Sequence, residues 1–248
     1  MLTCTDTPLA AHPAANLLLR DVWKASELAR SRTPVLSSGH PTLDALLPDG
    51  GWPRSVITEL LVQQHGCGEV HLLASALMAL PGRGRIVLIQ PPYLPQAAAC
   101  GALGIDTSRL LWIRAASTAD ALWSAEQVLK NNCCTAVLMW QTNIRTDALR
   151  RLNLAAQRAE TWMWLFRPLA QARDASPAPL RLALRPANGH ISVEVVKRRG
   201  PLLDGPVLVP LVGLPSTHLP LEVTPDVAPA VVPAPTQVTA RIVAPVLV

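Results

Sequence analysis

VITELLVQQHGCGEV, residues 56–70, is the stretch that decides how the chain is read. VITELL (56–61) is a short run rich in apolar and β-branched residues, which predicts a buried strand. A helix is predicted from about Glu69 to Leu80, and the intervening VQQHGCG lies where a phosphate-binding loop sits in a strand-loop-helix unit. A working loop reads GxxxxGK[ST]: its Lys meets the β- and γ-phosphates, its hydroxyl holds magnesium, and backbone N–H groups cradle the rest. Here Gln63 takes the place of the first Gly, Gly66 lies inside the loop and Gly68 matches the second Gly. Glu69 stands where Lys belongs and Val70 where Ser or Thr belongs. Unit charges about 4 Å apart interact by about 4 kcal/mol at an effective dielectric of 20, so a carboxylate at that point repels phosphate. Gln63, Gly66, Gly68, Glu69 and Val70 therefore form a candidate degenerate nucleotide loop. From the loop alone, an ordinary strand-to-helix turn that never held nucleotide remains the alternative.

Downstream, short apolar runs alternate with helix-period stretches. RIVLIQ (85–90), LLWIRA (110–115), TAVLMW (135–140) and TWMWLF (161–166) read as strands. Helices are predicted near 96–103 and at about 118–130 and 146–159. This repetition predicts an α/β domain, a mostly parallel twisted sheet with helices on both faces. LRLALRP (180–186) and HISVEVVKR (190–198), joined by Ala187-Asn188-Gly189, predict a closing antiparallel hairpin, because Asn-Gly supplies the positive φ values of a tight turn. TAVLMW ends in Trp140 and Gln141 where a magnesium-directing Asp would stand. RIVLIQ runs into Pro91, Pro92 and Tyr93, with no carboxylate to position a water. ATP hydrolysis is not expected, and neither a cofactor nor a catalytic residue is assigned.

Residues 14–31, AANLLLRDVWKASELARS, place Leu17, Leu18, Val22 and Leu28 at helical spacings. After Gly200 prolines recur about every five residues, which denies helix and interior strand alike. The expected organisation is an N-terminal helical segment (1–33), a core domain (34–212) and a disordered Pro/Val/Ala-rich tail (213–248). The chain is 50% apolar and 16% charged, enough to bury a sizeable core, and no apolar run approaches the roughly 18 residues that span a bilayer. With no signal-peptide pattern at the start, the expectation is a cytoplasmic protein without membrane contact. Five cysteines lack any CxxC pair and six histidines lack ligand spacing, so neither a disulfide framework nor a metal site is expected. The net charge is +5. Residues 201–248 set Arg241 against Asp204, Glu222 and Asp226, so the first 200 residues carry +7, compatible with nucleic acid or an acidic partner.

Upstream of the loop, VLSSGHPTLDALLPDGGWPRSVITEL places Ser38-Gly39, Leu43-Asp44, Gly50-Gly51 and Pro53 ahead of the first core strand. This run resembles the entry into the core of RecA-family recombinases. Together with Gly66-Cys67-Gly68-Glu69 and the late VEVVKRRG (193–200), it makes the chain similar to the ImuA family of RecA-like proteins over roughly residues 14–210, and secondarily to the SulA family. The ImuA resemblance implies a RecA-like fold and a non-catalytic role in SOS-induced error-prone translesion DNA synthesis. The implied partners are an ImuB-type Y-family-like protein and an error-prone C-family DNA polymerase, with RecA as a further candidate. The SulA resemblance implies the alternative, a cell-division inhibitor that binds a tubulin-like GTPase.

Arg145, Arg150, Arg151 and Arg158 lie on the helix predicted after TAVLMW, opposite an apolar face of Leu149, Leu152, Ala156 and Ala159, so they must point outward. They are candidates for weak DNA or partner contact beside the plainer reading of a solvated basic face. Lys197, Arg198 and Arg199 form a second candidate cluster, or else a charged strand end that discourages edge pairing. Most of the strand-associated tryptophans, Trp112, Trp140, Trp162 and Trp164, are expected in the core. Alternation puts Trp162 and Trp164 on one sheet face and Met163 and Leu165 on the other.

Overall fold

A computed structural model of the chain describes residues 35–82, 84–200 and 205–211. The predicted N-terminal helix and Pro-rich tail lie outside the described residues.

The chain opens with two two-residue strands, β1 (Val35–Leu36) and β2 (Trp52–Pro53), paired antiparallel, with the short helix α1 (Pro41–Leu46) between them. Asp44 fastens this entry. Its carboxylate accepts from the Ser37 hydroxyl at 2.6 Å and the Ser38 N–H at 2.7 Å. There follow β3 (Ile57–Val62), α2 (Glu69–Met78), β4 (Arg85–Ile89), α3 (Ala97–Ala102), β5 (Leu110–Ile113), α4 (Thr118–Lys130), β6 (Cys134–Trp140), α5 (Thr146–Arg158) and β7 (Trp162–Pro168). A 3-10 turn (Leu169–Arg173) leads into β8 (Leu180–Ala187), β9 (His190–Lys197) and β10 (Val207–Pro210).

Strands β3 to β10 form one eight-stranded sheet in the order β10-β9-β8-β3-β7-β6-β4-β5. From β5 to β8 the pairings are parallel, whereas β9 and β10 run antiparallel. Continuous apolar strands suit this arrangement, since every residue of β3 is buried and helices cover both faces. Face one carries Leu60, Leu138, Trp164 and Leu182 under Leu72, Leu73 and Leu77 of α2, with Leu43 of α1 and Trp52 alongside. Face two carries Val87, Val137, Met163 and Leu165 under α4 and α5. The expected alternation in β7 holds: Trp162, Trp164 and Phe166 pack on face one, Met163 and Leu165 on face two. Each long helix on face two starts with an acidic first turn, and Ser117 caps α4 by accepting from the Asp120 N–H at 3.2 Å.

The predicted α/β architecture and closing hairpin are present, with differences of physical interest. The hairpin turn uses one positive φ, at Gly189 (69°), and none at Asn188, so it is not the doubly left-handed turn expected from Asn-Gly. Within the proline-rich stretch, β10 adds a strand beyond the hairpin, and it can do so because it is the sheet edge and ends on Pro210, where no ladder donor is needed. Trp112 is 37% exposed because β5 is the opposite edge, leaving its indole beneath only the Arg114 guanidinium, 5.3 Å from the ring centre.

Candidate functional site

The site is built at the carboxyl end of the parallel strands. β3 stops at Val62, and the Gln63 N–H still donates to the Leu184 carbonyl at 3.1 Å, so the exposed Gln63 marks the last ladder bond before the loop. Gly66 (φ 78°) and Gly68 (φ 102°) let the backbone double back and enter α2. Glu69, in the first turn of α2, swings back into the loop and its Oε1 accepts the Gly66 N–H at 2.9 Å. It is 3% exposed. A helix N-terminus favours negative charge, and here the protein's own carboxylate takes the role a phosphate oxygen would take. Leu211, just past β10, lies against the loop so closely that a Cβ on Gly68 would fall 2.4 Å from its Cδ1. Val70 is half-buried against the core and brings no hydroxyl. Cys67 is buried, and its thiol is pushed up to about 11 by burial and then by the Glu69 charge, so it is neither nucleophile nor soft ligand.

The ends of β4 and β6 carry amides where carboxylates were sought. The Gln90 side chain donates to the Ala115 carbonyl, and Gln141 Nε2 donates to Gln90 Oε1. Two neutral side chains thus satisfy each other across the strand ends. Trp140 stacks on Phe166 with ring centres 4.5 Å apart, and its Nε1 is buried without an acceptor among the described residues. Between the loop, these strand ends, residues 91–96 and α3 lies a cavity of about 300 Å³, floored by Leu77, Ile86, Leu88, Leu138 and Trp140. No Lys or Arg is among the described residues that line it. A magnesium nucleotide does not fit this donor set. The loop supplies a carboxylate in place of its cation, one backbone donor is already engaged, and the metal-directing positions are amides.

The arginines expected to point outward do so. Arg145, Arg150, Arg151 and Arg158 are all exposed, and Leu149, Leu152, Ala156 and Ala159 are buried beneath them. Two are partly neutralised, Arg150 by Asp147 at 3.5 Å and Arg151 by Glu126 of α4 at 3.4 Å. Lys197, Arg198 and Arg199 do not act as one patch. Lys197 Nζ donates to the Ser176 carbonyl at 2.8 Å, Arg198 reaches the Leu46 carbonyl at the end of α1 at 2.7 Å, and Arg199 is exposed.

Sequence reasoning passed over Glu59. In the middle of β3 and 0% exposed, it receives Arg181 Nε at 2.6 Å, the Ser176 hydroxyl at 2.6 Å and Arg167 at 3.3 Å. Arg181 donates onward to the carbonyls of Gln171, Ala172 and Asp174. The network ties residues 171–176 down onto face two. Its signal in the sequence was a lone carboxylate inside an otherwise apolar strand.

The two thiols at the other end of β6 differ from each other. Cys134 is buried beside Thr161 with its thiol pushed up to about 12 by burial, whereas Cys133 is exposed and directed to the Val128 carbonyl.

Sheet order, helices on both faces and a glycine loop between β3 and α2 define a RecA-like α/β protein. No family model matches the chain. It is 28% identical over 135 residues to "Protein ImuA" of Caulobacter vibrioides strain NA1000 / CB15N, and equally to that of strain ATCC 19089 / CIP 103742 / CB 15. The match covers 52% of this chain and 55% of each relative, so the chain spans about half the length of the curated relatives it matches. The similarity supports the ImuA family as the family of this chain. No helix among the described residues is long and apolar enough to cross a membrane.

Proposed function

We propose that the chain is a non-catalytic RecA-like accessory protein of SOS-induced, error-prone translesion DNA synthesis. It works through contacts with an ImuB-type Y-family-like protein and an error-prone C-family polymerase, with RecA as a further partner and weak DNA contact through the exposed arginines of α5. The place in mutagenesis follows from similarity to Protein ImuA. The mode of action is carried by one observation, the Glu69 carboxylate hydrogen-bonded inside the loop that would hold phosphate. A protein whose anion site is filled by its own side chain has surfaces to offer rather than a nucleotide cycle.

Two measurements test the reading. Calorimetry with ATP and magnesium gives no saturable heat; tight magnesium-dependent binding that disappears in Gly68→Val overturns the non-catalytic mode. Co-expression with the ImuB-type protein encoded in the same genome yields a complex on size-exclusion chromatography, and separate elution at micromolar concentrations of both overturns the accessory role.

A further inference from the structure

Beside the loop, the cavity of about 300 Å³ is too large for a structural void and is at the lower bound of ligand pockets. Its walls are almost wholly apolar, and the ionisable groups among its lining are Glu69 and His71. The Glu69 carboxylate is already engaged with Gly66, and burial holds the His71 imidazole below its ordinary pKa, so the lining presents no net positive charge at neutral pH. Anions are repelled and a neutral occupant is matched. Trp140 adds one polar requirement, because its buried indole N–H has no acceptor among the described residues. At the mouth, Tyr93 and Leu94 are 66% and 65% exposed on a segment, Pro91 to Gln96, that holds three prolines. A rigid segment displaying two large apolar side chains beside an apolar cavity extends the surface past anything a cavity-sized molecule would cover.

We propose that this cavity is a docking site for a partner polypeptide, which inserts one neutral apolar side chain and lays adjoining backbone across Tyr93 and Leu94, a carbonyl oxygen accepting from Trp140 Nε1. The inference deepens the accessory reading and rests on it for the source of the side chain. Charge decides between occupants here: a nucleotide would bring phosphates to Glu69, whereas a peptide segment brings an uncharged anchor and the acceptor that the indole lacks.

The test uses the full chain and defined probes, so that it is independent of whether an ImuB-type complex forms. Methyl NMR follows Leu77, Leu88 and Leu138 during titration with N-acetyl-phenylalaninamide, with the capped pentapeptide Ac-Ala-Ala-Phe-Ala-Ala-NH2, with toluene and with ATP. Saturable shifts are expected for the first three and none for ATP. The pentapeptide is expected to bind at least about tenfold more tightly than the single capped residue, a gain lost in Tyr93→Ser/Leu94→Ser. Ala99→Trp, placed on the exposed side of α3 where it leaves the core intact, fills the mouth and abolishes the shifts. Trp140→Phe weakens the capped residue about fivefold while leaving toluene unchanged, the pattern of one lost hydrogen bond. Shifts by ATP, or shifts that persist in Ala99→Trp, overturn the assignment. A pentapeptide no tighter than the single residue overturns the polypeptide source, because the cavity would then suit a free small molecule.

Discussion

Glu59→Gln provides the sharpest test of how the sheet is held. The side chain keeps its volume but loses its charge, and two guanidinium groups, Arg167 and Arg181, 3% and 4% exposed, are left facing an amide. Removing one partner of a buried pair costs about 3–5 kcal/mol, because the remaining charge stays desolvated. That is a large share of the roughly 5–15 kcal/mol that stabilises a domain. With a urea slope of about 2–3 kcal/mol per molar, the unfolding midpoint falls by about 1–2 M. Arg181 also holds the carbonyls of Gln171, Ala172 and Asp174, so hydrogen exchange should accelerate selectively across residues 171–176. Arg185→Gln is the control. It breaks an equally short pair with Glu194, 2.6 Å, but at 41% and 48% exposure the loss is under about 1 kcal/mol. Equal midpoint shifts in the two variants, or a Glu59→Gln cost under about 1 kcal/mol, would refute the reasoning.

Gly68→Ala meets both a left-handed φ and the side chain of Leu211, and should lose about 1–3 kcal/mol in thermal or urea unfolding. Adding Leu211→Ala recovers only the contact part, so a double-mutant cycle without coupling would show that Leu211 does not press on the loop. For Asp44, burial raises the carboxyl pKa but the hydrogen bonds from Ser37 and Ser38 outweigh it and hold the group below its ordinary value. Its contribution is therefore full above the unfolded pKa and is lost as pH falls through the lower folded one. Asp44→Asn should flatten the acid limb of a stability profile below about pH 4, and an unchanged limb would contradict the geometry. Arg150→Glu/Arg151→Glu should leave stability within about 1 kcal/mol, since both arginines are exposed. Any DNA binding should weaken with a salt slope shallower by about 2, and DNA binding with an unaltered slope would remove α5 from the contact.

The strands of the parallel sheet were legible because burial on both faces demands continuous apolar runs, as in β3, β4 and β6. What the sequence hid followed from neighbours. β10 was masked by prolines that an edge strand tolerates, and α1, with six residues, is too short to display a helical period. β1 and β2 pair over only two residues each. At the site, the charge reversal at Glu69 could be read directly, but its turning inward depends on the φ values of Gly66 and Gly68. Glu59 carried its own signal, a carboxylate where the pattern requires burial. Its partners depend on β3 lying between β7 and β8, an order that no local pattern encodes. The same is true of Trp112, whose exposure reflects the place of β5 in the sheet rather than its own apolar run.

The contrast between Cys133 and Cys134 has a consequence for oxidation. A thiol at about 12 in place of the ordinary 9.0 carries about a thousandfold less thiolate at neutral pH, so Cys134 is nearly inert to peroxide and alkylating agents. Its sulfur sits beside Thr161 while that of Cys133 is directed to Val128, so the adjacent pair is not arranged to close on itself as a disulfide. Mild oxidant therefore meets a single reactive position at this end of β6, and the strand beneath it keeps its packing while that position is sulfenylated, capped and restored.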